Sequence, residues 1–218
     1  MQYLGTNEIG FDKQALGFPS VKTCQAIVYE TGSALYGFHD ALGQSAAFPA
    51  KCSAFAQFVQ EVSINHKWLA ICVIGVITRE QRFKMNQVDE WKAQLFEVAE
   101  HLDFQGEIWG ARLQERVGDD DSAYIRFDRL DHTSGVKPPC QISFKTWSKM
   151  DLGDEFKNDD WRRRALKKDP SYNPSTMEEF YALPQITVPA PEPNRPVLRK
   201  GRLDEGKLNV LTELVRFR

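Results

Sequence analysis

The chain has 218 residues, 42% hydrophobic, 11% aromatic and 27% charged, which suits a globular protein with a core of its own and excludes collagen-like, wholly disordered and mini-disulfide classes. Twenty-eight Lys and Arg against thirty Asp and Glu leave a net charge of −2. That gives no field to hold a phosphate backbone or an anionic membrane, so neither nucleic acid nor membrane is expected as a partner.

Residues 24 to 39, Cys-Gln-Ala-Ile-Val-Tyr-Glu-Thr-Gly-Ser-Ala-Leu-Tyr-Gly-Phe-His, read as two strands around a Thr31-Gly32-Ser33 turn, a β-hairpin. Phe48, Cys52, Phe55, Val59 and Val62 then form one stripe of a helix, with Pro49 tolerated in its first turn. Residues 68 to 77 are apolar at both parities and too short for a membrane span, as expected for a central strand covered on both faces. Asn86 is a good N-cap for a second helix carrying Val88, Trp91, Leu95, Val98 and Leu102 on one face. Three strands follow, near 106 to 113, 124 to 130 and 141 to 147. Trp68, Trp91, Trp109 and Trp147 fall within these elements and are assigned to packing.

The order β-β-α-β-α-β-β-β predicts an α+β fold: a mixed or antiparallel sheet packed with two main helices in a layered sandwich. Residues 1–150 form the core domain. Residues 151–218 read as a charged, proline-rich C-terminal extension, with Trp161-Arg162-Arg163-Arg164, a Ser175-x-x-Glu178 capping box and five prolines between 184 and 196. Its end, 208 to 217, is a helix or strand that docks on the body or on a partner. No run reaches the ~18 apolar residues of a span and the first residues lack a signal-peptide pattern. The expected location is the cytoplasm, or outside the cell by a route needing no cleavable signal.

The four cysteines, at 24, 52, 72 and 140, are far apart, and the histidines at 39, 66, 101 and 132 lack metal-ligand spacing, so no metal or other cofactor is expected. Asp119-Asp120-Asp121 reads as a solvated turn, and Cys52 and Cys72 as core thiols. Chemistry rests on Cys24 and His39, at the open end of the hairpin. A Thr31-Gly32 loop puts the two opposite each other. A Gly32-Ser33 loop pairs Cys24 with Ala41 and leaves His39 diagonal, while a three-residue loop sends them to opposite faces. Together they make a thiol nucleophile and its base. Backbone amides at Thr23 and Cys24 would hold an oxyanion, and Gln44, a hydroxyl or a main-chain carbonyl would orient the imidazole. His132 and Cys140 are a weaker second pair.

A cysteine at the head of a strand, a hairpin, and a histidine fifteen positions later in Tyr36-Gly37-Phe38-His39-Asp40, followed by helix, strand, helix and strands, resembles the Cys-His glutamine deamidases. These include the catalytic domain of cytotoxic necrotizing factor and the chemoreceptor deamidases. The resemblance covers residues 15 to 115 and implies a layered sandwich with Cys24 as nucleophile and His39 as general base. The implied activity is that of a thiol-dependent amidohydrolase converting a protein glutamine to glutamate, in the manner of a bacterial effector or toxin. That family places Gly or another small residue before the nucleophile, where this chain has Thr23. The competing class is a non-enzymatic partner-binding protein, an inhibitor, adaptor or immunity-type protein, that uses the C-terminal arm.

Overall fold

The computed structural model describes residues 2–5, 8–40, 48–63, 65–78, 87–113, 116–117, 122–130, 140–147 and 208–218. Gln44, Asp119 to Asp121, His132 and the stretch from Trp161 through the prolines lie outside the described residues.

Three strands precede the hairpin: β1 (Gln2–Tyr3), β2 (Ile9–Asp12) and β3 (Ala15–Val21). Pro19 in β3 donates no ladder hydrogen bond, and the pairing register of that strand shifts between Phe18 and Val21. The predicted hairpin follows as β4 (Gln25–Thr31) and β5 (Leu35–Asp40). Thr31 N donates to Ala34 O at 2.9 Å, and the Thr31 hydroxyl accepts from Ala34 N at 3.1 Å and donates to Ala34 O at 3.0 Å. The loop is therefore Gly32-Ser33, closed by a threonine that satisfies its own turn.

Helix α1 (Phe48–Val62) buries Phe48, Cys52, Phe55 and Val59, as its stripe requires. The short α2 (His66–Leu69) takes up the start of the predicted central strand, which begins two residues later as β6 (Ala70–Ile77). Trp68 consequently leaves the sheet and is 88% exposed, contrary to the packing role its strand-like context suggests. Helix α3 (Gln87–His101) buries Trp91, Leu95, Val98 and Ala99. It ends where Asp103 takes a positive φ of 52° and Phe104 N donates back to Ala99 O at 2.8 Å, a Schellman closure. Then come β7 (Glu107–Arg112), β8 (Ser122–Arg129), β9 (Cys140–Trp147), β10 (Asn209–Val210) and β11 (Val215–Arg216).

The fold is α+β, with strands in a mixed, largely antiparallel arrangement and helices to one side. The strands form two sheets where the sequence suggested one. The first is ordered β1-β3-β8-β9-β10 and the second β11-β7-β6-β4-β5-β2. Strand alternation divides the second sheet's side chains between two cores. Ile27, Tyr29, Tyr36, Phe38, Val73 and Ile108 meet α1 and α3. Ala26, Val28, Leu35, Cys72, Ile74 and Val76 meet Leu16, Phe18, Ile125, Phe127 and Ile142 of the first sheet. Among the described residues the layers are helices, a six-stranded sheet and a five-stranded sheet. As expected, β6 is covered on both faces. Its Gly75 lets α3 approach, since a Cβ there would sit 2.5 Å from Leu95 Cδ2.

The last eleven residues belong to this body. Strand β10 pairs with β9 in one sheet and β11 with β7 in the other, so a domain boundary at residue 150 assigns to an extension residues that complete both sheets. The docking site of 208 to 217 is the protein's own edge strands. No helix among the described residues is long and apolar enough to cross a membrane.

Candidate functional site

Glu30 pairs with Leu35 and Gln25 with Asp40 across the hairpin. This is the Gly32-Ser33 register, in which the position before Gln25 faces the position after Asp40. Cys24 and His39 are then diagonal neighbours on one face of the ribbon, the face turned toward the other sheet. Cys24 belongs to the inter-sheet core, and the His39 ring stands edge-on to Phe18 of β3 at 5.9 Å between centroids.

The two residues differ in access. His39 is fully buried, whereas Cys24 keeps 9% of its surface exposed, against 1% for Cys52 and none for Cys72 and Cys140. None of the four cysteines is in a disulfide. Burial, first of all, pushes the Cys52 thiol up, helped by the Glu97 and Asp40 carboxylates. Cys72 and Cys140 are pushed well up, also by burial first. Those three are inert core thiols at neutral pH, and Cys24, the least buried of the four, is the one that acts on an imidazole among the described residues.

The orienting group is a main-chain carbonyl. His39 Nδ1 lies 2.8 Å from Leu4 O; a carbonyl only accepts, so Nδ1 carries the proton and Nε2 is left as the basic nitrogen. Among the described residues no group meets strict hydrogen-bond geometry with Nε2. Cys24 is the polar side chain that acts on the ring most, through a looser thiol–imidazole contact. Contacts of this kind are commonly slack before substrate arrives. Burial opposes a charged His39, but Cys24, the Leu4 carbonyl and the Glu8 carboxylate outweigh it and raise the ring above the ordinary histidine range.

Leu4 reaches His39 because the chain changes sheets there. Leu4 N donates to Gly17 O at 2.8 Å, continuing β1 beside β3, while His39 N donates to Glu8 O at 2.9 Å, beginning the pairing of β2 with β5. Gly37, two residues before His39 on the same face, makes room for the crossover. A Cβ on it would lie 2.6 Å from Leu4 Cδ1, 2.8 Å from Leu16 Cδ1 and 3.0 Å from Phe18 Cζ. Gly37→Ala is expected to cost about 1–3 kcal/mol in urea denaturation through overpacking, and to loosen the Leu4 carbonyl from the imidazole.

Thr23 sits half-buried in the bend before Cys24. That bend is tied to the end of β6, where the Thr78 hydroxyl donates to Lys22 O. Behind the pair, on the helix side of the sheet, Gln25 Nε2 donates to Asp40 Oδ2 at 3.2 Å and to Gln94 Oε1 at 2.8 Å, and Lys51 Nζ donates to Asp40 Oδ1 at 2.9 Å. Gln25 and Asp40, the immediate neighbours of Cys24 and His39, thus cross-link the two strands and anchor them to both long helices. The Asp40 carboxylate, which only accepts, fixes which end of the Gln25 amide is nitrogen, and its buried Oε1 has no partner among the described residues. Sequence reading passed over Leu4, Glu8 and this network. A Gln and an Asp opposite each other at the hairpin mouth were the available signal for the network.

Cys140, the other half of the second candidate pair, is fully buried beside Glu30. Among the described residues no three His, Cys, Asp or Glu side chains converge as a metal centre requires. Comparison with protein-family models finds no match for this chain, and comparison with curated proteins finds none.

Proposed function

We propose that the protein is a thiol-dependent amidohydrolase, most specifically a protein-glutamine deamidase. The observation that carries this reading is Cys24, the least buried of the four cysteines, beside an imidazole whose Nδ1 is held by the Leu4 carbonyl. His39 Nε2 takes the thiol proton and the Cys24 sulfur adds to the Cδ of a glutamine carboxamide. Collapse of the adduct breaks the C–N bond, and the imidazolium gives its proton to the departing nitrogen, which leaves as ammonia. Water, deprotonated by the same Nε2, then cleaves the thioester to glutamate and the free thiol. Amides at the Thr23–Cys24 bend supply the oxyanion donors in this scheme. No cofactor enters it. The layered order of helices, sheet and sheet supports the reading further, since the deamidases it resembles imply a layered sandwich. The substrate is a glutamine on a protein, met in the cytoplasm of this protein's own cell or of one it enters.

The test is selective alkylation. At neutral pH iodoacetamide should modify Cys24 at least about 10-fold faster than Cys52, Cys72 or Cys140, and His39→Ala should remove most of that advantage. Ammonia release from casein should then be lost in Cys24→Ser. Slow and equal labelling of all four thiols overturns the reading and leaves the partner-binding class in its place.

A further inference from the structure

We propose that Glu8 is a positioning residue for His39: its carboxylate closes the turn that presents the Leu4 carbonyl to Nδ1, and it places a negative charge toward the imidazolium. The inference rests on reading Cys24 and His39 as a working pair, and it adds to that pair a residue which neither motif nor spacing indicates.

Between β1 and β2 the chain crosses from one sheet to the other, and it holds His39 at two points on the way. Leu4 O meets the ring at 2.8 Å and Glu8 O takes the His39 backbone N–H at 2.9 Å. The distance between Leu4 and Glu8 therefore decides where the ring's orienting acceptor lies. Glu8 sets that distance. Its N donates to Gly5 O at 3.0 Å, and its Oε2 accepts from Gly5 N at 2.7 Å, so one residue satisfies both polar groups of Gly5. The side chain is turned inward, with Glu8 only 6% exposed. A carboxylate kept this close to the interior costs desolvation unless cationic or donor groups repay it, and a protonated His39 is such a group.

Among the described residues the groups facing the His39 ring are few. The Cys24 thiol comes from the head of β4, the Leu4 carbonyl and the Glu8 carboxylate from the crossover, and the apolar Phe18 ring from β3. Asp40 and Gln25 point to the other face of the sheet, toward Lys51 and Gln94. Among the described residues Glu8 is thus the carboxylate that acts on His39, and it favours the ring's charged form. In a thiol–imidazole pair, stabilising the imidazolium favours the thiolate–imidazolium state.

Glu8→Gln keeps an acceptor for Gly5 N and removes the charge; Glu8→Ala removes both. Two readouts on the intact chain separate the roles: the NMR titration of the His39 ring protons, and the rate of Cys24 alkylation by iodoacetamide against pH. Glu8→Gln should lower the His39 titration midpoint and slow Cys24 alkylation at neutral pH about 3-fold. Glu8→Ala should slow it further. If Glu8→Ala fails to fold, Glu8→Gln alone decides. A Glu8→Gln protein with the parent's His39 titration and alkylation profile overturns the proposal. Should parent Cys24 label no faster than Cys52 while the His39 midpoint still moves in Glu8→Gln, the link between Glu8 and His39 stands and the enzymatic reading of the pair falls.

Discussion

Deleting residues 208–218 is expected to leave a protein that is largely unfolded at 37 °C, with its unfolding free energy lowered by at least about 5 kcal/mol, a sum comparable to the whole stability of many domains. The segment is short, but it contributes to both cores. Leu211 is buried between the sheets at 3% exposure, and its N–H donates to Ile142 O at 2.9 Å. Phe217 packs edge-on against Trp91 of α3 at 5.4 Å, in space left by Gly110, where a Cβ would lie 2.5 Å from the Phe217 ring. Phe217 N donates to Ile108 O at 2.7 Å, and Arg218 O accepts from Ile108 N at 3.1 Å. The Arg218 guanidinium caps the carbonyls of Phe104 and Gly106 at 2.7 and 3.0 Å. Two large apolar side chains at about 1.5–3 kcal/mol each, with the edge hydrogen bonds they bring, account for the predicted loss. Against this, the entropy of closing the connection from β9 to β10, roughly sixty residues, changes by only about 0.6 kcal/mol for each doubling in length. Leu211→Ala should therefore cost about 3 kcal/mol in urea denaturation, and halving the connection less than 1 kcal/mol. Equal stability with and without 208–218 would show that the segment merely rests on the body.

The same geometry explains why the end of the chain was hard to read. Strands of two residues show no periodicity, and Leu208, Leu211, Leu214 and Val215 fit a helix stripe as well as a clasp whose residues serve two sheets in turn. The first twenty-one residues conceal β1 to β3 for a different reason: Gly5, Gly10, Gly17 and Pro19 punctuate them so often that local signals point to turns. The long helices and β6 were legible because each buries a whole stripe or both faces, which writes itself into the spacing of apolar residues. The meeting of Cys24 and His39 was legible only up to a choice of registers. The Gly32-Ser33 loop chosen by Thr31 selects the diagonal one. The third element of the site is a main-chain carbonyl. Any residue at position 4 carries one, so no side-chain pattern could reveal it, and only the path of the chain between sheets brings it to the ring.

Replacing Glu30 with Gln should flatten the protein's stability between pH 4.5 and 8, with the variant gaining on the parent by about 4 kcal/mol across that interval. Glu30 is fully buried in β4, opposite Cys72 in the β4–β6 register. Cys72 Sγ donates to its Oε2 at 3.8 Å, the Cys140 thiol of β9 also hydrogen-bonds it, and the Arg129 charge of β8 acts on it. Burial outweighs these groups and raises its carboxyl to about 8. The Arg129 guanidinium donates to loop carbonyls, Nη1 to Gly32 O and Nε to Lys13 O, both at 2.9 Å, and its charge lowers the carboxyl less than burial raises it. Both thiols, pushed well up themselves, stay protonated and add no charge through neutral pH. The folded protein therefore holds a proton on Glu30 that the unfolded chain releases near the ordinary carboxylate range. The stabilisation from that proton is complete below about pH 4.5, declines as pH rises and is gone above about 8. Glu30→Gln carries no such proton and keeps an acceptor for the thiols, so the difference between the two proteins isolates this one group from every other carboxylate. Urea denaturation at pH 5, 7 and 8.5 measures it. Parallel stability curves for the parent and Glu30→Gln would mean that Glu30 is already ionised in the folded state at neutral pH, held by Arg129 rather than neutralised by burial.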